Sequence, residues 1–318
     1  MKNLATPAAL ILAALAYFVP TVAGGAPVAY AACTTIAILA VMAYGADLIL
    51  SYLGEVSLGH TIFWATGGYA ASLLAVNAGW NGWATAGAAV VLSMILAAVL
   101  GAATLRTREF VFSLVTYAAA VVAMEVAFNW SFLGGSDGIV GVPPLELTIL
   151  GRGITGSSNA ELWPIAWGLL MLTLLFIHRF RRSRLGTSAL MVQMNPDLAL
   201  ALGVDARVVR FLVFVASAPI SALAGWLYAY QRAYVGPDMF ESYFLVLMLT
   251  AIVIVGRRLL LGPLIGTALI IVQQTFFSIG GDGDKIILGA VLAAILLLWP
   301  RGLIGVWDVL RRPRTTAR

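Results

Sequence analysis

The chain has 318 residues, 61% of them hydrophobic and only 10% charged, with a mean hydropathy of +0.97. About a quarter of the residues of an ordinary soluble protein are charged, so this composition excludes that class and places the chain in a lipid bilayer. The net charge of +5 and pI near 9.6 do not point to nucleic acid: the arginines sit in short clusters between apolar runs, with no reader motif. One cysteine, Cys33, excludes an internal disulfide. Two histidines without a second cysteine leave little for a metal site, and neither metal nor cofactor is expected.

Taken in chain order, Lys2, the apolar stretch to Val19 and the small residues Ala29-Tyr30-Ala31 resemble a signal peptide. Apolar character resumes at Val28 and continues to Leu53, however, so the segment reads as a retained helical hairpin. With breakers and charges as loop markers, apolar spans fall at 4–23, 28–50, 59–78, 83–105, 109–130, 162–178, 207–230, 241–256, 259–279 and 285–300. Spans of this kind cross about 30 Å of hydrocarbon as helices. The expected fold is therefore a single all-α polytopic membrane domain over 1–318 with ten crossings. An even number puts both termini on one side, and Arg311, Arg312, Arg314 and Arg318 make that side cytoplasmic. Every other basic residue then also falls inside except Arg152, Arg232 and Lys285, while Asp137, Glu146, Glu161, Asp238, Glu241, Asp282 and Asp284 fall outside. The Gly- and Ser-rich stretch 51–70 is read as either re-entrant or a broken helix. Trp80, Trp83, Trp130 and Trp163 mark outer ends, and Trp299 and Trp307 inner ones, as interfacial anchors.

Two loops exceed simple connectors. The outer one, 131–161, contains Pro143 and Pro144 and predicts a small ordered cap or receiving surface. The inner one, 179–206, begins with Arg179, Arg181, Arg182 and Arg184 and then runs Asn195-Pro196-Asp197-Leu198-Ala199-Leu200-Ala201-Leu202-Gly203. Asn suits an N-cap, Pro the first helical position, Asp the positive helix start, and Gly the left-handed stop. Such a short helix is marginal alone, and a row of Leu198, Leu202 and the intervening alanines suits a partner's groove as well as a membrane surface. No Gly-x-x-x-x-Gly-Lys-Ser/Thr occurs, and the only lysines are Lys2 and Lys285, so nucleotide energy would have to come from another subunit.

These residues also resemble the permease subunits of branched-chain amino-acid type ABC importers, of the LivM-like kind, over about 40–305. The resemblance rests on motifs in order: Gly54-Glu55-Val56-Ser57-Leu58-Gly59-His60 with Gly67-Gly68-Tyr69-Ala70-Ala71; Leu133-Gly134-Gly135-Ser136-Asp137-Gly138-Ile139; Ser183-Arg184-Leu185-Gly186 through Asn195 to Gly203-Val204; Ala224-Gly225-Trp226-Leu227-Tyr228-Ala229 with Pro237; Gly262-Pro263-Leu264-Ile265-Gly266; and Pro300-Arg301-Gly302-Leu303. The chain departs from the family where Asp47 and Glu55 replace an amide-rich stretch and Gly256-Arg257-Arg258-Leu259-Leu260 replaces a Gly-Gly-x-Gly-Ser run.

What the resemblance implies is a non-enzymatic transport subunit in a bacterial cytoplasmic (inner) membrane. With a second homologous permease it would form a path for branched-chain or other small amino acids, driven by two ABC ATPase subunits and fed by an extracytoplasmic substrate-binding protein. Asn195, Pro196, Asp197, Leu198, Ala199, Leu202 and Gly203 would couple to the ATPases. Asp47 and Glu125, ionisable groups inside spans, are path candidates, as are Glu55 and His60 in the Gly-rich break and Asn129. Gly134, Gly135, Ser136, Asp137 and Gly138 would form an outer gate or docking point. Gly67, Gly68, Gly225, Gly262 and Gly266 let helices approach closely. Two alternatives stand beside this reading: the same assembly carrying urea, amides or carboxylated or aromatic compounds, and a self-sufficient proton-coupled carrier using Asp47, Glu55, His60 and Glu125.

Overall fold

The computed structural model describes residues 11–104, 109–149, 152–276 and 282–298. Lys2, Arg106, Arg108, Arg301, the arginine tail, Trp299, Trp307 and the 300–303 motif lie outside the described residues. The helices are α1 (Ile11–Val22), α2 (Pro27–Tyr52), α3 (Thr61–Ala78), α4 (Gly82–Thr104), α5 (Glu109–Asn129), α6 (Asn159–Arg182), α7 (Arg184–Met194), α8 (Pro196–Ala201), α9 (Ala206–Arg232), α10 (Ser242–Val255), α11 (Gly262–Phe276) and α12 (Asp282–Leu298).

A helix stands at each of the ten expected span positions. Five of them, α2, α4, α5, α6 and α9, are long and apolar enough to cross a membrane by length and composition. Helix α10 has only 14 residues, a rise of about 21 Å at 1.5 Å per residue, less than the hydrocarbon thickness. The shortening has a local cause: Gly256, at φ +125°, ends α10 well before the turn into α11. The stretch 51–70 resolves into an irregular segment, 53–60, followed by one continuous helix, α3. The break lies between spans and is mostly buried by protein, the condition under which irregular backbone is tolerated at membrane depth.

Helix α2 is the axis of the bundle. It is apolar on every side, and every residue from Ala37 to Leu53 is buried, as expected of a helix surrounded by others. Helix α9 packs on α2, α3 and α4. On α4 the buried positions Thr85, Ala89, Ser93, Ala97 and Gly101 recur every four residues, a stripe of small side chains that permits close backbone approach. The opposite faces of α4 and α5 expose Leu92, Ile95, Val99, Val122, Val126 and Phe128, too much apolar surface to leave in water.

The tightest contact is the crossing of α3 with α9. A Cβ on Gly67 would lie 1.8 Å from the Ala222 carbonyl oxygen, and one on Gly225 would lie 1.8 Å from that of Trp64. Gly266 meets the Ala251 carbonyl at 1.9 Å in the same sense, whereas Gly262 sits more loosely, 3.1 Å from the Gly256 carbonyl. The outer loop contains an antiparallel hairpin, β2 (Leu145–Ile149) with β3 (Arg152–Gly156). Its apolar side, Leu145 and Leu147, is buried, and Trp83 Nε1 donates to the Thr148 carbonyl at 3.1 Å, seating it on the start of α4.

Candidate functional site

Two regions at opposite ends of the bundle carry the candidate residues. At the first, the capped helix forms as its residues dictate. The Asn195 side-chain oxygen accepts from the backbone N–H groups of Asp197 and Leu198, each at 3.0 Å. Pro196 occupies the first turn of α8, and Gly203 stops the helix at φ +82°. There the Val204 N–H reaches back to the Ala199 carbonyl at 2.9 Å, a left-handed cap. Leu198 is 59% exposed and Leu202 66%, but Ala199 is only 1% exposed. The alanine expected in the exposed row is thus the foot of the helix, while the leucines form an apolar ridge pointing away from the body.

Close to this end lie three of the residues expected on a path. Asp47, 3% exposed, accepts from the Ser51 hydroxyl at 2.6 Å. Glu55 Oε1 pairs with Arg210 Nε at 2.8 Å. His60 is fully buried at the start of α3, edge-on to Phe63, and neither ring nitrogen has a hydrogen-bond partner among the described residues.

The second region is built around the turn joining α9 to α10. Strand β1 (Ile139–Val140) pairs with β4 (Tyr234–Val235), so the Gly134–Gly138 loop is clamped against that turn. Gly138, at φ +69°, leaves no room for a side chain: a Cβ would lie 2.5 Å from the Val235 carbonyl oxygen. The loop is a fixed wedge that positions 234–241. Burial raises the Tyr234 phenol above its usual range, and the Asp238 and Asp137 carboxylates raise it further, which keeps it a neutral donor.

Three cavities meet at this turn, with Glu241 in the wall of each. One of about 410 Å³ is bordered by Glu125 and Ser136 together with Phe128, Tyr234 and Asp238. A second, about 320 Å³, follows α5 past Tyr117, Val121 and Met124 to Leu58 and Thr61. The largest, about 530 Å³, is bordered by Gln231, Arg232, Asp238, Glu241, Tyr243 and Gln274. In it the Gln231 side-chain N–H₂ donates to Thr35 Oγ1 and Asn159 Oδ1, both at 3.0 Å, and the Tyr243 hydroxyl donates to Gln274 Oε1 at 3.0 Å. Gln231 Oε1 and Gln274 Nε2, on two of the lining residues, are buried without a partner among the described residues. The Arg232 guanidinium lies over the Tyr228 ring, 5.6 Å from its centre.

Among the described residues and the three cavities, Glu125 is the one of the five path candidates that borders a cavity of solute size. Asn129 supports it, donating to the Glu125 carbonyl at 2.9 Å. Gln231, Arg232 and Gln274 escaped the sequence reading, although Arg232 carried a signal. It is one of three basic residues on the side where the charge asymmetry expects acids.

A body of long apolar helices with solute-sized polar cavities at one end and an exposed capped helix at the other defines a multi-pass membrane transport protein. The family described as branched-chain amino acid transport system, permease component, matches residues 28–298, and the chain belongs to that family. It is similar to the high-affinity branched-chain amino acid transport system permease protein LivM of Escherichia coli strain K12, 23% identical over 286 residues, covering 83% of this chain and 67% of that protein. The LivM of Salmonella typhimurium strain LT2 matches with the same figures. No solved structure matches the chain.

Proposed function

We propose that this LivM-like permease is one membrane subunit of an ATP-binding-cassette importer for branched-chain or other small amino acids. It pairs with a second, homologous permease, is driven by two separate ATPase subunits, and receives its cargo from an extracytoplasmic binding protein. In this reading the chain crosses the bacterial cytoplasmic membrane ten times with both termini inside. The end carrying α8 is then cytoplasmic and the three cavities open outward. The observation that carries the reading is α8 itself, a helix too short to persist alone in water yet capped at both ends, with Leu198 and Leu202 projected away from the body. A partner groove at the ATPases would cover that ridge. Closure of the ATPases would push on α8 and rock the helices between outward- and inward-open arrangements.

The cavity chemistry supports an amino acid as cargo. Arg232, Asp238 and Glu241 all border the largest of the three cavities, so its wall carries a charge for each end of a zwitterion. A neutral amide would need neither charge. The carrier reading is less well supported, because Glu55 is engaged by Arg210 and Asp47 by Ser51, which leaves Glu125 alone of the four beside a solute-sized cavity.

Mild-detergent purification of the tagged chain from its native membrane, with mass spectrometry of what accompanies it, tests the assembly. A second polytopic protein and two P-loop ATPases are expected. A stable preparation of this chain alone, reproducible across gentle detergents, would contradict the proposal.

A further inference from the structure

Two polar ties bind the flanks of α8 to the end of α2 and to the buried break, 53–60, that follows it. Ahead of α8, the Gln193 side chain lies against Gly54, where a Cβ would come within 2.9 Å of Gln193 Nε2. Its oxygen accepts from the Arg258 guanidinium. Arg258 in turn donates through its backbone N–H to the Ser51 hydroxyl and through Nε to the Ser51 carbonyl, each at 3.0 Å. The Ser51 hydroxyl donates onward to Asp47, one turn deeper in the axial helix. Beyond α8, Arg210 near the start of α9 grips Glu55.

Arg258 holds φ +66°, a left-handed conformation unfavourable to any residue with a side chain. Such a conformation persists where its surroundings over-determine it, and here three donated bonds do so. The break itself is seated on α5: the Ser113 hydroxyl donates to the Val56 carbonyl at 2.6 Å, and a Cβ on Gly59 would lie 2.0 Å from the Thr116 carbonyl oxygen. Over the next two to three turns, α5 carries Tyr117, Val121, Met124 and Glu125, which wall two of the cavities. An unbroken series of close contacts therefore runs from α8 through the break to the cavity wall.

We propose that Arg258 and Arg210 are positioning residues that lock the α8 segment to the end of α2 and the 53–60 break, so that a displacement of α8 is delivered to α2, α3 and α5 together rather than absorbed in a loop. The proposal rests on the importer reading above. Neither arginine borders the three cavities; Arg258 acts through Ser51 at the end of α2 and Arg210 through Glu55 in the break.

The complex, purified with its native partners and placed in liposomes with its binding protein, is assayed for ATP hydrolysed per leucine carried. Arg258→Gly removes the side chain at a backbone angle glycine adopts freely, so it cuts the tie without adding strain, and Gln193→Leu cuts the same tie on an independent helix. Each is expected to raise ATP consumed per leucine by roughly two- to thirtyfold, the range of coupling changes seen for intermediary residues, with faster amide hydrogen exchange over 53–60. Glu55→Arg should do likewise, and Glu55→Arg with Arg210→Glu should recover much of the loss. An unchanged ratio in both Arg258→Gly and Gln193→Leu, or failure of the charge swap to restore it, would overturn the ties. Absence of ATP-driven uptake by the unaltered complex of leucine and of every other small amino acid its binding protein retains is a separate result: it would overturn the importer reading and the positioning role with it.

Discussion

Replacing Leu198 and Leu202 together by glutamate is expected to abolish solute uptake by the assembled complex while leaving the chain folded and inserted. Both side chains are more than half exposed, so the substitutions desolvate nothing and leave no cavity. The cap survives, because it is made by Asn195 and Gly203. What changes is the apolar ridge, and two buried anchors at an interface are worth about 2 kcal/mol each, which translates to a hundredfold or more in binding. Glutamate adds the cost of carrying charge into a groove shaped for leucine. Uptake and co-purification of the ATPases should therefore fall together by about a hundredfold or more, with the yield of monodisperse chain unchanged. Undiminished uptake would remove α8 from the coupling role. Ala199→Glu should behave differently, since that side chain is buried beneath the helix and the change would dislodge α8 itself.

Gly67→Ala and Gly225→Ala are each expected to cost about 3 kcal/mol or more, at or above the upper end of overpacking penalties. The added carbon would lie 1.8 Å from a backbone carbonyl oxygen in either case, and neither α3 nor α9 can yield without carrying the rest of its length. The two sites face each other across one crossing, so they should not add. Once the first carbon has pushed the helices apart, the second finds space, and the double variant should cost less than the sum. Gly87→Ala is the control: nothing lies within 4 Å of the added carbon, and alanine in an exposed helix position should stabilise by about 0.5–1 kcal/mol. Melting of the purified protein in detergent measures all four. Retention of normal stability by Gly67→Ala would mean that the crossing is not as close as described.

How much of this was legible in the sequence depended on whether the deciding contacts were local. The α8 segment could be read almost residue by residue, because N-cap, first-turn proline and terminal glycine act within one turn. The small-residue crossings could be anticipated for the same reason: glycine inside an apolar helix has little use except close approach. Asp47 was a different matter. A carboxylate within an apolar run signals a cost, but its partner Ser51 and the arginine beyond it at 258 are joined only by folding, 207 residues apart, so burial in a tie and exposure to a path look alike in the sequence. Glu55 and Arg210 posed the same problem. The β2–β3 hairpin was partly hidden by its glycines and prolines, although Leu145 and Leu147 alternate with Glu146 and Thr148 in the two-residue period of a half-buried strand. Gln231 and Gln274 carried no local sign of function, because an amide near the end of an apolar helix is unremarkable until folding places it in the wall of a cavity.

The coupling of transport to ATP on partner subunits is tested most directly by reconstitution. Liposomes holding the complete complex, with ATP enclosed and the binding protein supplied on the opposite face, are assayed for leucine uptake with the proton gradient collapsed, beside liposomes holding this chain alone with a proton gradient and no nucleotide. The account predicts uptake in the first that stops when ATP is withdrawn, and none in the second. Uptake by the chain alone, driven by protons, would contradict it.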